Sequence, residues 1–379
     1  MDNHKFWNTQ PIDISKNALT ANMIVNYKVE EISKQPIPLP EGFEWVVIDI
    51  NKDSELDMVY EFLLNYYNND PNVSKRFHYK KDFLRWFLTP PGYYPDLLIG
   101  IKYNNKLIAT IFGIPMKIKI FDKIINTGEV NFLCVHHSLR NKRLAPVMIK
   151  EITRRFFLHE WFHAFYTAVL DLPNTLMKTS YFHRPLNVQK LVDIDFIEKP
   201  EKISIQGFSK LFKTLESNTI NIRKIEEKDF KVCCQMLNEY HQNFNIAILF
   251  EQESFDDHFK FRENIIETYV VENEGKVTDM VSFYFVPSKI NNDSKHKELT
   301  KAYVYYYFNT VTELDRLMDN GIYLMKKKNI DMVNAMKQYN NDKFLDKLKF
   351  KEGTGELNFY FYNWSCPSVS YNDMAIVMV

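Results

Sequence analysis

The predicted order of helices and strands occurs twice along this chain of 379 residues. Residues 1–205 contain an antiparallel group of strands followed by a helix, a strand and a second helix, and residues 206–379 repeat that order. A repeat that spans half of the chain indicates one fold used twice rather than two unrelated domains. We therefore predict an α+β protein whose mixed, mainly antiparallel sheets are flanked by helices, with a boundary near residue 205.

The strand region of the first half contains an interruption. The runs Leu107–Phe112 and Met116–Phe121 each predict a strand, and Gly113 and Pro115 stand between them. Because proline cannot donate to a strand ladder and glycine weakens a strand, we predict a bulge or kink between two short strands.

Glycine is scarce, which limits the ligand sites that this chain can form. It contains 10 glycines, or about 3% of its residues against a usual ~7%. No G-x-G-x-x-G pattern or P-loop is present, since Gly353 and Gly355 are followed by Asn358 where a third glycine is required. An anion site must therefore be formed by residues with side chains.

The charge balance and the cysteines narrow the class of protein further. Lysine and arginine total 48, as do aspartate and glutamate, so the basic excess typical of nucleic-acid binding is missing. No apolar run approaches the ~20 residues of a membrane-spanning helix. The four cysteines have no C-x-x-C spacing, which favours a reducing compartment. We expect a cytoplasmic protein with no nucleic-acid partner and no transmembrane segment.

We expect no metal site. No cysteine pair lies near a suitably spaced histidine pair. The adjacent His136 and His137 should point to opposite sides of an extended chain, so they would not bind one ion together.

Basic residues are concentrated between residues 138 and 155, where a predicted strand is followed by a loop and a helix. The segment contains one acid, Glu151, and six basic residues: Arg140, Lys142, Arg143, Lys150, Arg154 and Arg155. The first three lie in the loop before the helix, whose unpaired N–H groups and dipole favour an anion. This order favours phosphate binding, such as that of a diphosphate with a long tail. The alternative, a solvated helix face, suits the last three basic residues.

The strand before this loop is apolar except for one residue. Asn131 needs a hydrogen-bond partner inside a buried strand, and neighbouring backbone is the simplest one. Cys134 lies on the same strand, where burial would raise its pKa, so core packing is favoured over a nucleophilic role.

The last six residues, Met374–Val379, are apolar. Chain ends are usually polar and frayed. We expect this end to insert into the fold, which would bring the α-carboxylate of Val379 to a poorly solvated place where it must be paired or useful. An edge strand that ends at the surface is the alternative.

The segment Glu129–His136, followed by Leu139–Pro146 and Ile149–Arg155, resembles glycylpeptide N-tetradecanoyltransferases, the N-myristoyltransferases. The resemblance extends almost from end to end, through Phe6–Pro11, Pro90–Gly92, Tyr166–Ala168, Tyr181–Arg184 and Tyr362–Trp364. It implies two fused GNAT-type acyltransferase halves related by pseudo-twofold symmetry. The first half, 1–205, would bind acyl-CoA, and the second, 206–379, would bind the peptide.

The resemblance also implies the reaction and its substrates. A tetradecanoyl group would pass from myristoyl-CoA, a co-substrate rather than a prosthetic group, to the N-terminal glycine of an acceptor protein. We expect the enzyme to act as a monomer. The implied acyl-CoA residues are Lys5, Phe6, Trp7, Phe132, Leu133, Cys134, Val135, Arg140, Asn141, Lys142, Arg143, Leu144 and Ala145.

The implied catalytic groups are mostly backbone groups. The N–H groups of Phe132 and Leu133 would form an oxyanion hole. Asn131 and Thr167 would orient the amine of the acceptor, and the carboxylate of Val379 would take its proton. The implied peptide-groove residues are Tyr79, Tyr181, His183, Ser288, Tyr303 and Leu357.

Two departures from the family pattern lie near the acyl-CoA loop, where His137 replaces a lysine and Asn141 a serine. The others lie on the acceptor side. Lys351 replaces a glycine and Thr354 an aspartate, Val169 and Ala375 also replace glycines, and the expected acidic stretch is reduced to Asp70. We therefore predict a weaker preference for lysine-rich acceptors. Two other functions stay open: a related acyltransferase with a different amine or chain length, and a binding protein without turnover.

Overall fold

The computed structural model describes residues 5–13, 18–67, 75–291 and 295–379. Asp70 lies outside these ranges. The helices of the described residues are α1 (Asp53–Tyr66), α2 (Lys81–Leu88), α3 (Leu144–Leu158), α4 (Val188–Asp193), α5 (Ile205–Lys210), α6 (Phe230–His241), α7 (Gln252–Phe259), α8 (Leu314–Lys327) and α9 (Asp342–Leu345).

The strands fall into one large sheet and two small ones. In chain order they are β1 (Asn22–Met23), β2 (Phe43–Val47), β3 (Lys75–Phe77), β4 (Leu98–Tyr103), β5 (Lys106–Ile120), β6 (Lys123–Val135), β7 (Ala164–Ala168), β8 (Met177–Pro185), β9 (Ile222–Lys224), β10 (Ile246–Ile248), β11 (Ile266–Asn273), β12 (Lys276–Phe285), β13 (Ser288–Ile290), β14 (Glu298–Leu299), β15 (Lys301–Asn309), β16 (Met332–Met336), β17 (Lys351–Tyr362), β18 (Trp364–Ser365) and β19 (Met374–Ala375).

The arrangement of strands in the large sheet is nearly symmetric about its centre. Its strands follow the order β2-β4-β5-β6-β7-β17-β8-β16-β15-β12-β11-β9. Each half therefore supplies three antiparallel strands, then a helix (α3 or α8) and a parallel strand. The last strands are exchanged, because β17 pairs with β7 and β8 pairs with β16. This arrangement confirms the predicted α+β class and the repeated order, while the division at residue 205 stays a prediction because the sheet continues across it.

The two parallel pairs separate partway along their length. β6 and β7 pair up to Val130 and Tyr166, and β15 and β16 pair up to Tyr303 and Asn334. All four strands continue beyond those residues without pairing to each other. Each half therefore contains a gap in the sheet.

The C-terminal segment packs at the gap of the second half. Its strand β19 pairs in parallel with β10. The Val377 N–H donates to Tyr306 Oη at 2.9 Å, and Gln338 Nε2 donates to the Ile376 carbonyl at 2.9 Å. Tyr306 and Gln338 lie past the last β15–β16 pair. The predicted insertion of the apolar end is thereby confirmed, since residues 374–378 are all buried.

Helix α3 packs closely on the sheet of the first half. A Cβ at Gly113 would lie 2.5 Å from the Phe156 ring, and one at Gly128 would lie 2.2 Å from it. Two glycines on the adjacent strands β5 and β6 thus make room for one aromatic ring.

The predicted interruption between two short strands is wrong. Residues 106–120 form one strand, β5, and Pro115 lies opposite Gly128 of β6. On the other side of β5, β4 pairs only through Phe112 and β10 only from Ile118. Pro115 is therefore at a local edge, where the missing N–H costs no bond to a second neighbour.

Candidate active site

A cavity of about 980 Å³ lies between the two halves and is lined by residues of both. Residues from α3 and its surroundings, such as Ile149, Ile152 and Phe156, give part of the lining an apolar surface. Residues from β8, β15 and β17 give another part a polar and aromatic surface. Such a lining suits one ligand with a long apolar chain and another with polar groups.

A β-bulge occurs on the lining of this cavity, in the β5–β6 strand pair. In the β5–β6 pair, Thr110 faces Cys134 and Phe112 faces Asn131, so Phe132 and Leu133 together face one residue. Phe132 has φ +53°, in the left-handed region that phenylalanine rarely adopts. A bulge takes a residue out of the ladder and redirects its backbone groups. Phe132 and Leu133 both line the cavity.

Side chains hold this bulge in place. Thr110 Oγ1 donates to the Phe132 carbonyl at 2.9 Å. The Phe132 ring packs on Tyr79 and Tyr67, with ring centroids 5.0 and 5.3 Å away. The strained conformation is thus fixed by contacts on both its backbone and its side chain.

The hydrogen-bond partner of Asn131 is a side chain and not the neighbouring backbone that we expected. Its Nδ2 donates to Oε1 of Glu129 at 2.5 Å, and both residues are buried. Burial raises the pKa of Glu129 to about 7, although the hydrogen bond from Asn131 acts in the opposite direction. The glutamate therefore orients the amide of Asn131, which lines the cavity.

The predicted catalytic residues come together in space. Asn131, Phe132 and Leu133 of β6 line the same cavity as Thr167 of β7 and the last residue, Val379. The gap between β6 and β7 begins after Val130 and Tyr166, one residue before Asn131 and Thr167. This spacing leaves the two polar side chains at the start of the gap.

The basic loop supplies an uncapped helix N-terminus. Arg143, the N-cap residue of α3, has φ +61° and makes no side-chain cap bond, and the first turn contains no acid. Lys142 and Arg143 are exposed. Arg140 is tied to the fold, because its guanidinium donates to the carbonyls of Tyr66 and Val135 at 2.7 and 3.3 Å. Free N–H groups and adjacent cations fit a phosphate.

In the second part of the basic cluster, Arg154 and Arg155 do not lie on a solvated helix face, which was the alternative interpretation. Arg154 and Arg155 have 12% and 11% exposed side chains and pair with fully buried Glu151 at 2.6 and 2.8 Å. Glu151 also accepts the Ile37 N–H at 3.0 Å. Arg154 also donates to the Ser33 carbonyl at 2.9 Å, so Arg154 and Glu151 attach the N-terminal segment to α3, while Arg155 donates to the Asp96 carbonyl at 2.7 Å.

Several residues predicted for acyl-CoA binding lie outside the cavity lining. Trp7 is part of the lining and stacks on Tyr166, with centroids 5.5 Å apart. The others are Lys5, Phe6, Cys134, Val135, Arg140, Asn141, Lys142, Arg143, Leu144 and Ala145. Cys134 is buried, which raises its thiol pKa to about 12 and agrees with core packing.

All six predicted peptide-groove residues line the cavity: Tyr79, Tyr181, His183, Ser288, Tyr303 and Leu357. His183 Nδ1 is hydrogen-bonded to Asn334 Oδ1 at 2.7 Å. Gly353 is required beside it, because a Cβ there would lie 2.3 Å from His183 Nε2.

Three residues of the site were missed by sequence reasoning. Glu129 and Asn334 are polar residues within buried strands, and Lys301 begins the aromatic strand β15. A charged or amide side chain in an otherwise apolar strand was the available signal.

The two adjacent histidines do not point apart. Their rings stack with centroids 4.4 Å apart, because the strand ends at Val135 and the chain turns at His136. Within the described ranges, no group of three or more His, Cys, Asp or Glu residues could hold a metal ion.

A solved structure with the same fold shows which class of protein this chain belongs to. Yeast (Saccharomyces cerevisiae) N-myristoyltransferase with bound myristoyl-CoA superimposes with a TM-score of 0.96 and 34% sequence identity, covering 100% of both chains. The chain therefore has an acyltransferase fold and is an acyltransferase.

The particular family follows from sequence. The family described as myristoyl-CoA:protein N-myristoyltransferase matches through its N-terminal domain at residues 23–179 and its C-terminal domain at residues 193–376. The glycylpeptide N-tetradecanoyltransferase of Plasmodium falciparum is 38% identical over 99% of this chain and 93% of its own length. That of Drosophila melanogaster is 37% identical over 99% and 80%. This chain belongs to the N-myristoyltransferase family.

No helix among the described residues is long and apolar enough to cross a bilayer.

Proposed function

We propose that this protein transfers a tetradecanoyl group from myristoyl-CoA to the N-terminal glycine amine of acceptor proteins. The observation that carries the proposal is the bulge at Phe132, whose residues Phe132 and Leu133 line a cavity that has both apolar and polar lining residues. Membership of the N-myristoyltransferase family supports the identity of both substrates.

The backbone of the bulge would stabilise the transition state. When the glycine amine attacks the thioester carbon, negative charge develops on the carbonyl oxygen. The N–H groups of Phe132 and Leu133 would donate to that oxygen, and a strained, packed bulge keeps such donors in place before the reaction. The C–S bond then breaks, CoA leaves as the thiol after taking a proton, and the amide remains.

The carboxylate of Val379 would act as the base. An α-ammonium has an unperturbed pKa of ~8, so it needs a nearby acceptor to become a nucleophile at neutral pH. Val379 lines the cavity, and the residues before it are buried. Asn131 and Thr167, on the same lining, would orient the amine.

The two substrates would bind to different helices and strands. The N-terminus of α3 and the residues from Arg140 to Ala145 would bind the CoA phosphates, with Lys5, Phe6 and Trp7 over the acyl-CoA and Phe132–Val135 beside the thioester. The acceptor would lie against the groove residues of β8, β13, β15 and β17. We propose a monomer that acts in the cytoplasm.

Mass spectrometry of the full chain with myristoyl-CoA and peptides that begin with glycine tests the proposal. We expect one added tetradecanoyl group, located at the N-terminal amine, and no product when the glycine amine is acetylated. Absence of any acylated peptide over a broad acceptor library would leave only the binding function. Product with other acyl-CoA lengths or amines, but not with these substrates, would favour the related acyltransferase.

A further inference from the structure

Lys301 is a buried cation on the lining of the cavity. It is the first residue of β15 and only 6% exposed. Its Nζ lies 4.3 Å from the centroid of the Phe77 ring and 5.3 Å from that of Tyr303. Aromatic faces attract an ammonium, but they replace only part of its hydration.

Lys301 lacks the carboxylate partner that two partly buried lysines elsewhere in this chain have. Lys190 pairs with buried Asp331 at 2.6 Å, and Lys328 pairs with buried Glu267 at 3.1 Å. Across the described residues, no carboxylate oxygen lies within 4.0 Å of Lys301, and no hydrogen bond of its ammonium is formed. Burial accordingly lowers the pKa of Lys301 to about 7.

The surrounding lining offers no replacement for that partner. Ser288 and Tyr303 are neutral, and His183 is hydrogen-bonded to Asn334. The carboxylate side chains on the lining are those of Asp195, Glu352 and Glu356. None of them forms an ion pair with Lys301, and Glu356 pairs with Lys178 at 2.6 Å. An unpaired buried ammonium is costly, so a bound ligand that supplies an anion gains the interaction that the free protein lacks.

We propose that Lys301 binds an acidic side chain, aspartate or glutamate, of the acceptor peptide and so determines acceptor specificity. This inference rests on the proposed function, because it places the peptide in the cavity next to β15. The carboxylate would accept hydrogen bonds from the Lys301 ammonium, with the hydroxyl of Ser288 on the same lining. The charge pair would form in a largely dehydrated place, where it discriminates strongly between glutamate and its neutral isostere.

A peptide scan tests the inference without any variant. Glycine-initiated peptides carry glutamate or glutamine at one position at a time from the second to the eighth residue, and kcat/KM is measured with myristoyl-CoA. We expect one position at which glutamate exceeds glutamine by at least about tenfold. A ratio near one at every position overturns the inference.

The variant Lys301→Met then tests which residue is responsible. It should reduce the glutamate-to-glutamine ratio at that position to about one, because the glutamate peptide loses far more kcat/KM than the glutamine peptide does. Lys289→Met, at an exposed lysine of β13 outside the lining, is the matched control and should retain the ratio. An equal loss for both peptides, or loss of the ratio in Lys351→Met instead, overturns the assignment to Lys301.

The test separates failure of the inference from failure of the proposed function. If no glycine peptide is acylated by the unaltered protein, the proposed function fails. If peptides are acylated without the charge ratio, the proposed function stands and only the inference is wrong. Thermal unfolding of Lys301→Met identifies loss of folding, and in that case the peptide ratio in the unaltered protein decides.

Discussion

Phe132 shows how one residue can join the packing of the fold to its chemistry. Its left-handed backbone would be costly in isolation, at about 1–3 kcal/mol for such conformations. The Thr110 hydroxyl and the rings of Tyr67 and Tyr79 hold it in place. Phe132 and Leu133 also line the cavity, so we expect the contacts that stabilise the bulge to affect the proposed reaction as well.

Removing the hydroxyl of Thr110 should therefore affect catalysis more than folding. For Thr110→Val we expect kcat to fall about tenfold, because the bulge loses its backbone anchor, and the free energy of unfolding to fall by about 1 kcal/mol. Steady-state kinetics and urea unfolding measure the two effects. Thr127→Val is the matched control, since Thr127 of β6 is also buried and its hydroxyl has no hydrogen-bond partner among the described residues. A normal kcat in Thr110→Val would contradict the anchoring role.

Glu129 should make the stability of the protein depend on pH. Burial raises its folded-state pKa from 4.5 to about 7, so the folded protein binds the proton more tightly than the unfolded chain does. Stability should fall as pH rises from about 4.5 to about 7 and then level off, by a few kcal/mol at most, at about 1.4 kcal/mol per pH unit. Glu129→Gln removes this loss and should gain stability relative to the unaltered protein between pH 5 and 8 in urea unfolding.

Glu151 provides a control of opposite sign. Burial acts to raise its pKa, but hydrogen bonds from Arg154, Arg155 and the Ile37 N–H outweigh that effect and lower it. Its stabilising contribution is present above pH 4.5 and lost as pH falls. Glu151→Gln should therefore lose stability most at pH 8, and the same trend in both variants would contradict the assignment for Glu129.

At the scale of elements, the contact of α3 with the sheet determines where the basic loop is placed. The Phe156 ring fills the space above Gly113 and Gly128, which brings α3 close to β5 and β6. Because α3 begins directly after the loop, a shift of this helix would also move the N–H groups proposed to bind phosphate.

The substitution Gly128→Ala should disturb the contact between α3 and the sheet. A Cβ 2.2 Å from the Phe156 ring must displace the ring or the helix, and we expect a loss of about 1–3 kcal/mol in urea unfolding. The double variant Gly128→Ala/Phe156→Leu should recover part of the loss. Gly355→Ala is the control, because its Cβ would lie 3.6 Å from the nearest atom, Cδ2 of Tyr181. Additive effects of the two substitutions in the double variant would show that the ring is not the obstacle.

At the scale of the whole molecule, the repeated fold is used differently in its two halves. Both parallel strand pairs separate and leave a gap. The gap of the second half takes up Ile376 and Val377 of the chain itself, whereas the gap of the first half borders the cavity, which Met378 and Val379 line. The C-terminal end thus crosses from one half toward the site of the other.

Neutralising the terminal carboxylate tests this arrangement. A C-terminal amide at Val379, introduced by peptide ligation, removes the charge and leaves the packing unchanged. We expect turnover to fall at least about 100-fold, as for loss of a general base, while binding of myristoyl-CoA, measured by calorimetry, stays within about threefold. Val379→Leu retains the carboxylate and should remain active. Turnover by the amide close to normal would exclude the carboxylate as the base.

The sequence by itself determined the repeated order of elements, the burial of the apolar C-terminal end and the six peptide-groove positions that line the cavity. Apolar periodicity reports which face of an element is buried: Leu56, Val59 and Leu63 recur at helical spacing in the segment that forms α1, and all three are buried. Strand β5 was divided in error because Pro115 is tolerated only at a local edge, and sequence does not reveal which strands are neighbours.

Only the tertiary structure decided the exchange of β8 and β17 between the halves, the bulge at Phe132 and the isolation of Lys301. Each depends on residues that are far apart in the chain. The strand exchange depends on pairing between the halves, and the bulge depends on its register with β5 and on the Thr110 hydroxyl. The isolation of Lys301 depends on the absence of a carboxylate within reach among the described residues. Local sequence patterns reflect the choice between buried and exposed positions. They do not specify which partner a buried polar group meets, and that partner determines its charge and its chemistry.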